Sequence, residues 1–261
     1  MRVFSTLLTL GILGAGAWWA DQHYPELKYD IVDKVMSTDV PAFEARFTSQ
    51  HISKKTKNGT PHLTLAPYLQ MQVKHAKSEN QTEETAILWD LTDGEMILNT
   101  KTWDKTHGYG DCLATRASAY EFNIINQLAR KGGRAEINTL NRHDEHFITW
   151  LEACKRKKLV IQKGTECRLH MQNPRLALCP ETEGPLPIQI IIKRTKTRLS
   201  KRFTSTQIRK MAEAAFGNDF AIQHVTEIWL PLYTVTTENS DGTQQTTYFN
   251  GITGKPFFKK S

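Results

Sequence analysis

Four groups of residues in this chain have types and spacings that could carry chemistry. His143-Asp144-Glu145-His146 places two kinds of metal donor within four residues. The histidines are three apart and no glutamate is placed to activate a water, unlike the H-E-x-x-H helix. The tetrad therefore reads as the polar start of a helix, with Asp144 accepting backbone hydrogen bonds, and no metal is assigned to it. Cys112 follows Gly108-Tyr109-Gly110-Asp111 and has His107 close by in sequence. A thiol nucleophile needs a base within hydrogen-bond reach, which sequence proximity does not establish, and G-x-G alone is not a nucleotide fingerprint. Cys154, Cys167, His170 and Cys179 form no ligand set: there is no C-x-x-C, and an offset of three on a strand sends Cys167 and His170 to opposite faces. Cys154 lies on the core stripe of a helix and Cys167 shares a strand face with Leu169. That pair reads as a disulfide in an oxidising compartment or as two buried thiols. No catalytic residue, metal or cofactor follows from these groups.

The fourth group is charge. Lys193, Arg194, Lys196, Arg198, Lys201, Arg202, Arg209 and Lys210 fall within eighteen residues that contain no Asp or Glu. The chain as a whole has 34 basic and 27 acidic residues, a net +7. Without these eight, 26 basic residues would face the 27 acidic ones, so one segment accounts for the excess. Clustered cations attract anionic lipid headgroups, an acidic protein surface or nucleic acid, although such a run also serves as a solvated face. Only Phe203 interrupts it with an aromatic ring, which argues against single-stranded nucleic acid.

The elements that hold these groups follow from hydropathy and punctuation. Val3 to Ala20 carry no charge and end in Trp18-Trp19. This length and aromatic edge fit a membrane anchor, and Ala15-Gly16-Ala17 also fits a signal-cleavage site. Arg2 before the segment and Asp21, Glu26 and Asp30 after it place the N-terminus in the cytoplasm and the remainder outside, in the periplasm if the cell is bacterial. Residues 21–62 read as a stalk. Over 63–111 the period is two: Leu69, Met71 and Val73 alternate with polar residues, and Thr85–Leu91 joins Glu95–Asn99 through Asp93-Gly94, a hairpin signal. An antiparallel meander of three strands is predicted there.

Between Arg116 and His170 the period is helical. Phe122, Ile125, Leu128 and Ala129 precede Gly132-Gly133, a short segment carries Ile137 and Leu140, and Phe147, Trp150, Leu151 and Cys154 mark another helix. Leu159–Leu169 then reads as strand, turn and strand. Three helices with a hairpin resemble the winged helix, and residues 112–173 are assigned to such a module. The resemblance implies DNA reading by the third helix, yet its outward residues would include Asp144, Glu145 and Glu152 beside Ile148, Thr149 and Arg156. Carboxylates facing a polyanion oppose that use, as does export from the cytoplasm, and Lys155 to Lys158 complement the helix dipole.

Residues 174–187 hold four of the ten prolines and read as a linker. In 188–261, Ile188–Ile192 is a short apolar strand candidate and Thr204–Phe216 is amphipathic with Gly217 as its stop. Phe220–Glu238 and Thr243–Gly251 form a hairpin at Asp241-Gly242, with Pro231 at an edge or bulge. Helix, hairpin and the ending Phe249-Asn250-Gly251-Ile252-Thr253-Gly254-Lys255 resemble the PepSY-type module of envelope proteins, with Asn250 where that family often has Asp.

The expected fold is thus α+β: an N-terminal membrane helix, an antiparallel β meander with a winged-helix-like module, and a C-terminal helix with a β-hairpin. The expected role is non-enzymatic, in the envelope or in secretion. The membrane is contacted through residues 3–20, and a protein or anionic headgroups through the basic segment. A membrane-tethered DNA-binding regulator and an exported thiol hydrolase at Cys112 are the alternatives.

Overall fold

The computed structural model describes residues 39–56, 59–78, 81–140, 145–171, 173–177, 179–192, 197–217, 219–238 and 242–257. The first strand, β1 (Val40–Phe43), is followed by a short helix, α1 (Ser49–Lys55), which Thr48 caps by accepting the His51 N–H. Only Ile52 of α1 is buried. The long β2 (His62–Ser78) turns into β3 (Gln81–Asp90), then β4 (Met96–Asn99) and β5 (Asp104–Lys105), each antiparallel to the one before. The turn into β4 has Gly94 at φ 79°, and a side chain there would strike Leu113 and Phe203. The predicted meander is present and carries β5 as a fourth, short strand.

Two helices follow, α2 (Tyr109–Ala114) and α3 (Ala119–Arg130). The second starts in a capping box: Ser118 accepts the Glu121 N–H and Glu121 accepts the Ser118 N–H. Gly132 and Gly133 end it with positive φ. Next come β6 (Arg134–Glu136), a 3-10 turn at Ile137–Thr139, and α4 (Phe147–Arg156), then β7 (Val160–Lys163) and β8 (Glu166–Leu169). β6, β8 and β7 form a separate antiparallel sheet with β8 in the middle. β6 is an element that the pattern did not announce, because three residues with one apolar side chain show no periodicity.

The chain continues through β9 (Gln189–Ile192), α5 (Ser205–Phe216), the nineteen-residue β10 (Phe220–Glu238), β11 (Gln244–Asn250) and β12 (Pro256–Phe257). Helix α5 has a capping box of Thr204 and Gln207 and turns Ile208, Met211, Ala212 and Ala215 inward. The main sheet runs β12-β11-β10-β2-β3-β4-β5, with β1 and β9 added beside β10. β10 pairs with β2 from Phe220↔His75 to Thr234↔His62. Pro231 sits on the edge of β10 where β1 ends and β11 begins, and its carbonyl accepts the Gly251 N–H.

This pairing corrects the modular reading. Residues 63–111 and 188–261 are strands of one sheet, and Val40–Ser261 is one unit, because a meander of two-sided apolar strands needs the C-terminal strands as its neighbours. Part of the predicted stalk also belongs to that unit: β1 pairs with β9 and β10, and Ile52 packs with Tyr233, Val235 and Phe249. The proline-containing stretch 174–187 runs against the sheet, with Thr182 accepting the Leu88 N–H and donating to the Ile97 carbonyl. Among the described residues no helix is long and apolar enough to cross a membrane; the apolar segment 3–20 lies outside them. The fold class is α+β with a mixed, mainly antiparallel sheet.

The largest core lies between the sheet and the helices. Met71, Ile87, Trp89, Tyr109, Phe122, Ile125, Leu151 and Ile208 are all buried there. A second cluster, with Tyr68, Leu88, Trp103 and Leu230, forms on the opposite side of β2 and β3, as strands buried on both faces require.

Candidate functional site

Of the basic segment, Arg198, Lys201, Arg202, Arg209 and Lys210 are described, whereas Lys193, Arg194 and Lys196 lie outside the described residues. The five do not act alike. Residues 197–199 run beside β2, where the Leu65 N–H donates to the Thr197 carbonyl and the Leu199 N–H to that of Leu65. This seats the Arg198 guanidinium over the Trp229 ring at 4.6 Å, a contact that favours a cation. Lys201 pairs with Glu227 of β10 at 2.7 Å, and Ser205 donates to the same carboxylate. Arg202, over the ring of Phe203, is exposed, as are Arg209 and Lys210 on the outer face of α5. The first turn of α5 contains no acidic residue to offset these cations.

The glycines before Cys112 hold a carboxylate of the protein itself. Glu95, buried, accepts the N–H groups of Gly108 (2.9 Å), Tyr109 (3.2 Å) and Gly110 (3.0 Å) and the Thr106 hydroxyl (2.7 Å). A side chain at Gly110 would meet the Asp93 carbonyl at 2.4 Å, which is why glycine stands there. The loop is therefore an internal cap for α2. Cys112 is fully buried, and burial, with Glu95 nearby, pushes its thiol well above the usual range. A nucleophile must be a thiolate, and this environment opposes one. His107 is exposed, and its backbone exchanges two 2.9 Å hydrogen bonds with Arg175.

Cys154 and Cys167 are both buried in the core between the sheet and the helices. Burial, then the charge of Glu121, pushes Cys154 up to about 12. Cys179 is exposed. At the start of α4, His146 makes no side-chain cap bond and pairs weakly with Glu145 at 3.5 Å, while His143 and Asp144 lie outside the described residues. Ile148, Thr149, Glu152 and Arg156 of α4 are exposed, with Glu152 bound to Lys155 at 2.7 Å. Beside them Trp150 stacks on Tyr120 of α3, ring centres 4.8 Å apart.

A buried ionic cluster went unannounced by the sequence. Asp90, completely buried, accepts from the Tyr68 hydroxyl (2.8 Å), the Thr92 N–H (2.7 Å), the Thr92 hydroxyl (2.6 Å) and the Lys105 ammonium. Lys105 also reaches Asp93 (2.9 Å) and lies 4.6 Å from the centre of the Phe257 ring. Trp103 donates to the Tyr68 oxygen at 3.2 Å. In the sequence, Asp93 signals only a turn, and nothing marks Lys105, which arrives from fifteen residues away. Each polar group in the cluster has a partner, and although burial works against its charge, Lys105 is held in its charged form by Asp90 and Asp93. The cluster fastens β2, β3 and β5 together.

Its two aspartates titrate in opposite directions. Burial works against the Asp90 charge, but Lys105 and Thr92 hold it below the usual carboxylate range. Burial and the neighbouring Asp90 push Asp93 up to about 6. An unfolded aspartate titrates near 3.9. The folded state therefore binds the Asp93 proton more tightly, and that contribution to stability is present below roughly pH 4 and lost as pH rises through about 6. Asp90 contributes the reverse, lost as pH falls below roughly 4. Urea unfolding of Asp93→Asn is expected to lose the decline between pH 4 and 6; a slope equal to that of the wild type would assign the decline elsewhere.

No protein-family model, no curated protein and no solved structure matches the chain.

Proposed function

We propose that the chain is a non-enzymatic, single-pass membrane protein of an envelope or secretion system. In this reading residues 3–20 anchor it, the N-terminus is cytoplasmic, and the folded unit is extracytoplasmic and meets an acidic partner through the basic segment. The observation that carries the reading is the exposed set Arg202, Arg209 and Lys210 around a helix start that lacks a compensating acid. Interior polar groups support a structural role: the Glu95 and Asp90 carboxylates are engaged by the protein's own donors. The module 112–173 is read as winged-helix-like, supported by its order of helix, strand, 3-10 turn, helix and two strands and by the β6-β8-β7 sheet. Its α4 surface carries Glu145, Ile148 and Glu152 next to the Tyr120–Trp150 stack. That mixture suits packing against protein, since aromatic rings anchor protein interfaces and carboxylates repel phosphates.

The test uses the full chain in detergent with a fluorescent oligoglutamate peptide as the acidic probe. The wild type is expected to bind with an affinity that falls as salt rises, because exposed charge pairs are screened. Substituting Arg202, Arg209 and Lys210 by Gln should weaken binding about tenfold, at up to about 1 kcal/mol per exposed pair. Unchanged affinity would show the segment to be only a solvated face, and a C-terminal region that stays protected from protease when the outer envelope is opened but the cytoplasmic membrane is intact would overturn the topology.

A further inference from the structure

β9 lies beyond β1, which itself flanks β10, and among the described residues it pairs with β1 alone. The phase of that pairing is fixed by the Glu44 N–H, which donates to the Ile188 carbonyl at 2.8 Å. With the register Ala42↔Ile190 and Val40↔Ile192, residues 188, 190 and 192 turn their backbone groups toward β1. Pro41, opposite Ile191, needs no N–H at that position. Gln189 and Ile191 therefore direct their N–H and C=O groups outward, at an edge that carries no further strand among the described residues. That edge lacks the usual protection: there is no charge, proline or bulge within the strand. Ile188 and Ile191 are each 68% exposed and Ile190 36%.

The geometry points to a second copy of this chain as the occupant, paired antiparallel through β9 with the two-fold axis at Ile190. This inference is independent of the basic-segment reading. In that register Gln189 of each copy lies opposite Ile191 of the other, so both outward groups of both residues are satisfied by four hydrogen bonds. Ile188, Ile190 and Ile192 of the two copies then form one apolar stripe on a single face. Ile192 already packs on the Ala42, Leu65 and Trp229 cluster, so the stripe would be continuous with an existing core. Pro187 has no N–H, so it has only its carbonyl to offer a further bond. A two-fold contact of this kind uses the same patch on both subunits.

The register makes a positional prediction. Residues 190 face each other as a non-hydrogen-bonded pair, about 4.5 Å apart at Cα, within the range a disulfide spans. Residues 188 of the two copies are offset by four positions, about 14 Å. In full-length protein in detergent, with the exposed Cys179 replaced by Ser, Ile190→Cys is expected to form a covalent dimer on non-reducing gels. Copper phenanthroline with dioxygen serves as oxidant, taking up the two thiol hydrogens. Ile188→Cys should remain monomeric. Ile191→Pro removes an outward N–H without touching a bond to β1, so it should convert the dimer seen by light scattering to monomer with little change in melting temperature. A monomeric wild type with no cross-link at 190 would overturn the inference. Equal cross-linking at 188 and 190 would do so as well, because it would report random collision rather than this register.

Discussion

Lys105→Met is expected to lower the unfolding free energy by about 3–5 kcal/mol, the cost of leaving a buried charge without its partner. Asp90 has no exposure to water, and after the substitution its carboxylate would keep only the neutral donors Tyr68 and Thr92. Relaxation is restricted because β5 is two residues long and is held to β4 through Ile97↔Lys105 and Asn99↔Asp104. At roughly 2–4 °C per kcal/mol for a unit of this size, the melting temperature should fall by roughly 6–20 °C. The double variant Lys105→Met with Asp90→Asn should recover part of the loss, since the uncompensated charge goes with the carboxylate. A single variant within 1 kcal/mol of the wild type would mean that Asp90 simply takes up a proton and that the ammonium contributes little.

The second large effect belongs to Glu95. Replacing it with Ala leaves the N–H groups of Gly108, Tyr109 and Gly110 and the Thr106 hydroxyl without their acceptor in a buried loop. An unsatisfied buried donor costs about 1–3 kcal/mol, so even with partial relaxation a loss of about 4 kcal/mol is expected. Glu95→Gln keeps one carbonyl oxygen and should cost less. The consequence is local as well as global. The same bonds hold the first turn of α2, and Cys112 lies on that helix with its side chain buried against the core. In a Cys179→Ser background, Glu95→Ala should therefore raise the rate at which a maleimide labels Cys112. Labelling as slow as in the parent protein would show that α2 is held by its apolar contacts and not by the carboxylate.

Both predictions concern groups that local pattern passes over, and the reason is physical. Elements were legible where one residue's neighbours in sequence decide its environment. The hairpin at Asp93-Gly94 follows from the turn's need for positive φ, and Gly94 has it. Helices α3 and α5 follow from apolar spacing, with Gly132-Gly133 and Gly217 as their stops. The short β1, α1 and β6 were not legible, because each is stabilised by partners farther along the chain rather than by its own periodicity. Strand β1 exists through β9 and β10, and Ile52, the only buried side chain of α1, packs on strands about 180 residues later.

The same division holds for the candidate site. That the positive charge is concentrated in residues 193–210, that Val3 to Ala20 are free of charge, and that Ile188–Ile192 are apolar was determined by the sequence alone. Composition and order are properties of the covalent chain. Which cations are spent internally was decided only in three dimensions. Glu227, twenty-six residues on, takes Lys201, and Trp229 takes Arg198, because β10 lies alongside β2 and brings both residues to the same place. Likewise the four isoleucines after Pro187 could equally have been a buried strand. The pairing of β9 with β1 leaves them at an edge that carries no further strand among the described residues, since the phase of one ladder determines which backbone groups are left for another.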